Sequence, residues 1–596
     1  MAVEEKWMVH AKKADFKGLG QKLNVDQVTA RVLVNRGIPE DRMENYLHPS
    51  LSDLHDPGLL KDVKKTVGLL KNAIEKGEKI RIIGDYDIDG ISSTYILHNA
   101  LKRVGGKADY AIPHRIIDGY GVNPSMVEKA AAEGVRMIIT CDNGIAAFSA
   151  VDRAKELGLT VIVTDHHEIP YEEVEAETGK KLRREKLPRA DAIVNPHQKD
   201  CPYPFPGICG AVVAWKLVFV LYEAFGVPEG EAYAFLWNAA FATVGDVMEL
   251  RDENRAIVKL GLEDLCRTEN PGMRALMDRT GLERNGITAY HVGYVLGPCF
   301  NASGRLDTAA LAIELLEETD HELAAAKAAM LYDLNEERKA MTAEGEGRAF
   351  SLIEDNDMEE DPVLILYVPG LHESLAGIVA GHVKERYYRP AFVLTDTEEG
   401  MLKGSGRSIP AYPMYDRLHE CEEYLTKYGG HPMAAGISLK KEDLSAFREA
   451  MMKRAALSPE DLVRKVMIDV PMPLSYISED LVRELSLLEP FGNGNEKPCF
   501  ADREVEVIRL SEIGKTKQFF RLTCLMGNGL TMVGLLFSNC DRFRQDLTEK
   551  YGETVLQELM NGRRKGVRIS FTYYPQINTF RGDVSLQVVI SQIKIL

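Results

Sequence analysis

KIRIIGDYDIDGISSTYILHNALKRVG, residues 79–105, decides how this chain is read. It opens on a β-branched apolar run, crosses a polar turn and continues as a helical pattern. A strand apolar throughout, followed by a crossover helix, is the unit of a parallel α/β sheet. The turn holds Asp85, Asp87 and Asp89 on alternate positions and closes with Gly90. Asp-x-Asp-x-Asp-Gly also opens a helix–loop–helix calcium site, which needs a bidentate Glu at its twelfth position. Counted from Asp85, that position is Ile96, and the preceding run is strand-like, so the calcium loop is excluded.

The same pattern returns twice. VRMIIT leads into CDNG and IAAFSAVDRAKELG; LTVIVT leads into DHHEIP and, past a charged insertion (171–188), into DAIVNP. In parallel sheets ligands sit beyond the carboxyl ends of the strands, and every acidic cluster here follows a strand. The converging loops offer Asp85, Asp87, Asp89, Asp142, Asp165, His166 and His167. So many carboxylates repel one another unless cations neutralise them. Carboxylate oxygens suit hard divalent cations, and imidazole favours manganese over magnesium. Two such cations sharing a carboxylate activate a water for attack on a phosphoester. The competing explanation is that each Asp merely caps its following helix.

The 596 residues leave room for three or four domains. Hydrophobic content of 45% and charged content of 27% are those of an ordinary globular protein. The first residues lack a signal-peptide core, and the longest apolar run, GAVVAWKLVFVLY, is broken by Lys216, so no membrane span is expected. Nine dispersed cysteines without a C-x-x-C pair point to reduced thiols in a cytoplasm. A net charge of −17 excludes nonspecific coating of nucleic acid but leaves room for a local basic groove. KKLRREKLPR (180–189) and GRRKGVR (562–568) are its candidates, against the simpler view of solvated faces.

Residues 211–345 are mostly helical by pattern. TDHELAAAKAAMLYDLNEERKAMTAEGEGRAFSLIEDN (319–356) predicts one long helix, capped by Thr319 or Asp320, that connects two lobes. A smaller α/β unit follows, and from about 460 several short strands predict a β-barrel. The fold class is thus multidomain α/β. The expected division is an N-terminal segment (1–60), a parallel-sheet domain (61–270), a helical connector (271–350), a smaller α/β domain (351–455) and a β-barrel domain (456–596).

DYDIDG, CDNG and DHH, in this order, resemble the DHH phosphoesterase superfamily. With ICGAVVAWK, GPCFNASGR, SGRS, YGGHPMAAG and EPFGNGN, the chain resembles the RecJ family of bacterial exonucleases specific for single strands and acting 5′→3′. The match covers nearly the whole chain, with a DHHA1 domain as the second α/β unit and an OB-fold as the barrel. The resemblance implies Asp85, Asp87, Asp89, Asp142, His166 and Asp246 as the metal set, Asp142 bridging two Mn²⁺ or Mg²⁺ ions. Asp165, and Asp85 at the margin of the set, would orient ligands. Asp142, His166 and His167 would be catalytic, His167 touching metal or scissile phosphate. Ser405, Arg407, His431, Arg305 and Arg115 would hold DNA phosphate, in a cleft between the two α/β units. An Arg fork and glycine-exposed amides suit that anion. The resemblance also implies a monomer active in DNA repair and recombination, with a single-strand-binding protein and a RecQ-type helicase as partners.

The chain departs from the family pattern at LHES (371–374), which weakens any role for His372. It departs again at Gly245 before Asp246, at Glu249, and at EKP (496–498). Two other functions stay open. One is a phosphoesterase of small substrates such as oligoribonucleotides or cyclic dinucleotides, against which the C-terminal barrel speaks. QFFRL and FTYYPQ in that barrel offer aromatics for base stacking, or equally for its core. The other is a non-catalytic replication scaffold, against which the intact aspartates speak.

Overall fold

The computed structural model describes residues 4–115, 118–175, 181–397, 399–580 and 582–596. They form two compact units, one of residues 49–340 with 490–496, the other of 1–48, 341–489 and 497–596.

The first unit is built on a five-stranded parallel sheet. Its strands are β1 (Lys79–Ile83), β2 (Lys107–Ala111), β3 (Met137–Cys141), β4 (Thr160–Thr164) and β5 (Ala192–Val194), in the order β2-β1-β3-β4-β5. Alternate side chains feed two cores. Ile80, Ile82, Ile139 and Ile162 join one, while Ile83, Ile138, Val161 and Val163 join the other. Burial on both faces accounts for strands that are apolar without alternation. Helix α1 (Ile88–Arg103) follows β1 and α2 (Phe148–Glu156) follows β3. Further on come α3 (Gly210–Phe225), α4 (Leu236–Gly245) and α5 (Gly297–Leu306). The charged insertion is a hairpin in which Tyr171–Glu175 pairs antiparallel with Lys181–Glu185. Among the described residues, Arg184 pairs with Glu172 and Arg183 lies over the Tyr171 ring, and Arg189 just beyond pairs with Asp152 at 2.6 Å.

Helix α6 is continuous over His321–Asp355, about 50 Å at 1.5 Å per residue. Asp320 Oδ1 accepts from the amides of Glu322 and Leu323, so Asp320 is its cap. The boundary between the two units, 340/341, falls inside this helix.

The second unit holds two sheets of interest. The first has β6 (Leu364–Tyr367), β7 (Ala391–Asp396), β8 (Met401–Arg407), β9 (Lys427–His431) and β10 (Ala434–Lys440), ordered β9-β10-β8-β7-β6, with helix α7 (Ala376–Tyr387) packed on it. The second has β11 (Phe500–Ile513), β12 (Phe519–Leu525), β13 (Thr531–Leu536), β14 (Val567–Phe580) and β15 (Asp583–Ile595). Here β11-β12-β13-β15-β14 closes back onto β11, the five-stranded barrel of an OB-fold. The N-terminal strand Glu5–Val9 pairs in parallel with Arg464–Ile468.

The barrel aromatics mostly belong to its core. Phe520, Phe571, Tyr573 and Tyr574 are buried, and Phe519 is half-buried against the exposed Phe537. The stacking platform anticipated from QFFRL and FTYYPQ is therefore not offered by those four rings. GRRKGVR is likewise paired: Arg564 with Glu506, Lys565 with Glu558, Arg568 with Glu504.

Candidate metal centre

The site lies beyond the carboxyl ends of β1, β3 and β4. Asp85, Asp87 and Asp89 follow β1, Asp142 follows β3, and Asp165, His166 and His167 follow β4. Asp246 stands next to the last residue of α4. Three overlapping groups place ligand atoms within 4.8 Å of one another: Asp85, Asp87 and Asp142; Asp89, His166 and Asp246; Asp142, His166 and His167. His166 Nε2 is 3.1 Å from Asp142 Oδ1, 3.5 Å from Asp89 Oδ2 and 3.6 Å from Asp246 Oδ2.

Local structure explains how so much charge is held together. Asp87 does cap α1, accepting from the amides of Asp89 and Gly90. Asp89 is fully buried and receives the amides of Gly210 at 2.6 Å and Ala211 at 2.7 Å, the positive end of α3. Gly210 is forced: a Cβ there would lie 2.7 Å from Asp142 Cβ. Asp142 has φ 60°, a left-handed backbone uncommon outside glycine. Asp165 takes the amides of Ile145, His166 and His167 and the Nδ1 of His167 at 2.7 Å, which fixes the tautomer and tilt of that ring.

Capping does not account for the whole cluster. Asp85 Oδ1 and Asp142 Oδ1 are buried without a hydrogen-bond partner. Burial and neighbouring carboxylates push Asp85 and Asp142 well above the usual carboxylate range and Asp246 up to about 8. Burial holds His166 below the ordinary imidazole value, in the neutral form that binds cations. Burial opposes charge on His167 too, but the bond to Asp165 and the surrounding carboxylates outweigh it and hold the ring at about 9. Orphaned carboxylate oxygens with one neutral imidazole form a donor set that fits a hard divalent cation.

Sequence reasoning missed several members. The Tyr120 hydroxyl donates to the Asp142 carbonyl at 3.1 Å and lies 3.1 Å from His167 Nε2. Asn301 Oδ1 accepts the Ile88 amide, and Gly304 admits the Asp loop, since a Cβ there would meet Tyr86 O at 2.2 Å. In the same unit lie residues 490–495 of EPFGNGN: the Leu250 amide donates to Asn493 O, and Asn493 Nδ2 to Val247 O, bracing the turn after Asp246.

Of the expected phosphate ligands, Arg115 and Arg305 belong to this first unit. The Arg115 guanidinium lies 4.8 Å over the Tyr86 ring. Arg305 lies in the last turn of α5, and burial together with nearby Arg115 and Arg338 brings it down to about 10. Ser405, Arg407 and His431 belong to the second unit. Ser405 and Arg407 share a face of β8; in register, Arg407 opposes Ala434 and Ala434 opposes His431. Ser405 opposes Gly436, itself opposite Gly429, and a Cβ at either glycine would meet nothing within 4 Å. The Arg407 guanidinium lies over Gly377 of α7, where a Cβ would come within 2.8 Å of Nη2. His372 makes a 2.7 Å hydrogen bond with Ser374.

Comparison with known proteins matches residues 79–237 to the DHH family, N-terminal domain, 360–456 to the DHHA1 domain and 468–592 to the RecJ OB domain. The single-stranded-DNA-specific exonuclease RecJ of Bacillus subtilis is 35% identical over 530 residues, 88% of this chain and 64% of that one. The RecJ of Dickeya dadantii is 31% identical over 586 residues, 94% of this chain and 95% of its own. The chain therefore spans just under two thirds of the former and nearly all of the latter. The crystal structure of RecJ from Thermus thermophilus in complex with Mn²⁺ superposes with a TM-score of 0.80 at 26% identity, covering 99% of this chain and 80% of that one. The same protein with Mg²⁺ gives 0.73 at 25% identity, covering 99% and 78%.

Proposed function

Because the chain belongs to the RecJ family, we propose that it is a single-strand-specific DNA exonuclease that works 5′→3′ and releases mononucleotides. The observation that carries this reading is the pair of buried carboxylate oxygens on Asp85 and Asp142 that accept no hydrogen bond, amid the other side chains of the cluster. Asp85, Asp87, Asp89, Asp142, His166 and Asp246 would hold two divalent cations, with Asp142 shared. When bound, such cations supply an acidified water and neutralise charge on the phosphodiester.

The chain's own groups do the rest. The amide end of α3 fixes Asp89, and Asp165 fixes His167 through Nδ1, leaving Nε2 beside Tyr120. From there Nε2 donates a hydrogen bond to a phosphate oxygen of the scissile group. Arg115 and Arg305 in the first unit, and Ser405, Arg407 and His431 in the second, are each proposed as contacts to strand phosphates. The bare Gly429–Gly436 strip beside Ser405 leaves backbone open to an anion. Among the described residues, no helix is long and apolar enough to cross a membrane. The proposed setting is the cytoplasm, in DNA repair and recombination, as a monomer working with a single-strand-binding protein and a RecQ-type helicase.

The test is digestion of single- and double-stranded oligonucleotides, each with the 5′ or 3′ end blocked, in Mn²⁺, Mg²⁺ or EDTA. Mononucleotide release from single strands that survives a 3′ block, stops with a 5′ block and vanishes in EDTA is expected. Release that stops with the 3′ block would reverse the assigned direction.

A further inference from the structure

Tyr290 and Tyr294 are among the most exposed large hydrophobic side chains of the described residues, 63% and 71% accessible. Their rings are stacked on each other, centroids 4.9 Å apart and planes 27° from parallel. They lie about one turn apart, where Ala289–His291 passes into the π-helical segment Val292–Leu296. Single π turns are rare and concentrate at functional places. The inner side of this turn is glycine. A Cβ at Gly297 would meet Ile88 Cδ1 at 3.2 Å, and one at Gly293 would touch Val244 Cγ1 at 4.0 Å. Ile88 separates Asp87 from Asp89, and Val244 precedes Asp246 by two residues. The tyrosine pair therefore rides on a turn packed directly against two of the segments that carry acidic ligands.

Four of the five barrel rings that sequence alone offered for stacking are buried and Phe519 is half-buried, whereas this pair faces water within the unit that holds the acidic site. Tyrosine suits such a place because its hydroxyl stays hydrated while its ring stacks. Every base has a π face, so an aromatic platform grips a single strand without reading its sequence. We propose that Tyr290 and Tyr294 form a stacking platform for bases of the strand being degraded, continuous with the acidic site. This rests on the exonuclease reading above.

The experiment compares the full-length protein with Tyr290→Ala/Tyr294→Ala and with Tyr290→Phe/Tyr294→Phe. The ligands are a 20-nucleotide single strand and an abasic strand of equal length. Affinity is read by fluorescence anisotropy in EDTA, and KM and kcat with Mn²⁺ on the natural strand. The alanine pair should weaken binding of the natural strand by about tenfold or more, raise KM with little change in kcat, and leave the abasic strand unaffected. The phenylalanine pair should behave as wild type. Unchanged binding of the natural strand, or an equal loss on both strands, would overturn the platform. A wild-type protein that neither binds nor cuts the natural strand would instead overturn the exonuclease reading.

Discussion

Asp142 keeps a buried carboxylate oxygen free of hydrogen bonds on a left-handed backbone. Asn tolerates that conformation and matches the side chain in size. Asp142→Asn should therefore fold, and should cut exonuclease turnover to below about a hundredth, since even orienting partners of a metal ligand are worth 10–100-fold. It should also raise the melting temperature of the metal-free protein, because one charge leaves a self-repelling cluster. Steady-state digestion and thermal melts in EDTA check both; a variant with wild-type turnover would remove Asp142 from the site. Gly210→Ala should cost about 1–3 kcal/mol of stability, because its Cβ has no room beside Asp142, and should weaken Mn²⁺ binding measured by calorimetry. The strand-end aspartates and His166 were legible in the sequence because like charges at the ends of three apolar strands demand a counterion, whereas Asp246, at a helix end, was offered only by resemblance. Tyr120 was not. A lone tyrosine in a glycine-flanked loop carries no pattern, and only the fold brings it to His167.

Strand β8 presents Lys403, Ser405 and Arg407 along one face while Leu402, Gly404 and Gly406 are buried. SGRS was placed only by resemblance, not on a strand, whereas the Asp320 cap of α6 was readable. The barrel aromatics were not, because residues 569–575 are buried without alternation, so the successive Tyr573 and Tyr574 are both covered. Phe500 fills the space beside both rings. The basic clusters had the simpler reading of solvated faces, and GRRKGVR is paired, Arg564 with the distant Glu506 and Lys565 with the nearby Glu558. At this scale, Arg407→Ala should slow cleavage of 5′-phosphorylated strands about tenfold or more, the size of one lost charge-assisted hydrogen bond. It should affect 5′-hydroxyl strands less. Parallel digestion of the two strands decides it, and equal slowing would remove the proposed phosphate contact.

For the molecule as a whole, the acidic site makes stability depend on pH and metal together. Asp246 titrates at about 8 in the fold, and Asp85 and Asp142 are also raised. With folded values above the unfolded ones, the native state binds more protons than the unfolded chain between about pH 4 and 8. Stability of the metal-free protein should thus fall as pH rises through that window. Mn²⁺ should restore it most at the alkaline end, where it no longer competes with protons. Melting curves from pH 5.5 to 8.5 in EDTA and in Mn²⁺ check this; a flat EDTA series would mean the carboxylates do not repel. Which segments build which unit was not legible, because pairing of Glu5–Val9 with Arg464–Ile468, and the return of residues 490–496 to the first unit, depend on contacts hundreds of residues apart. That pairing has a consequence for synthesis. A chain leaving the ribosome exposes its first strand while more than 450 residues are still to come, and an unpaired strand is a template for wrong partners. Glu5–Val9 can be paired only after residue 468 has emerged, so its docking should be a slow, aggregation-sensitive step of maturation.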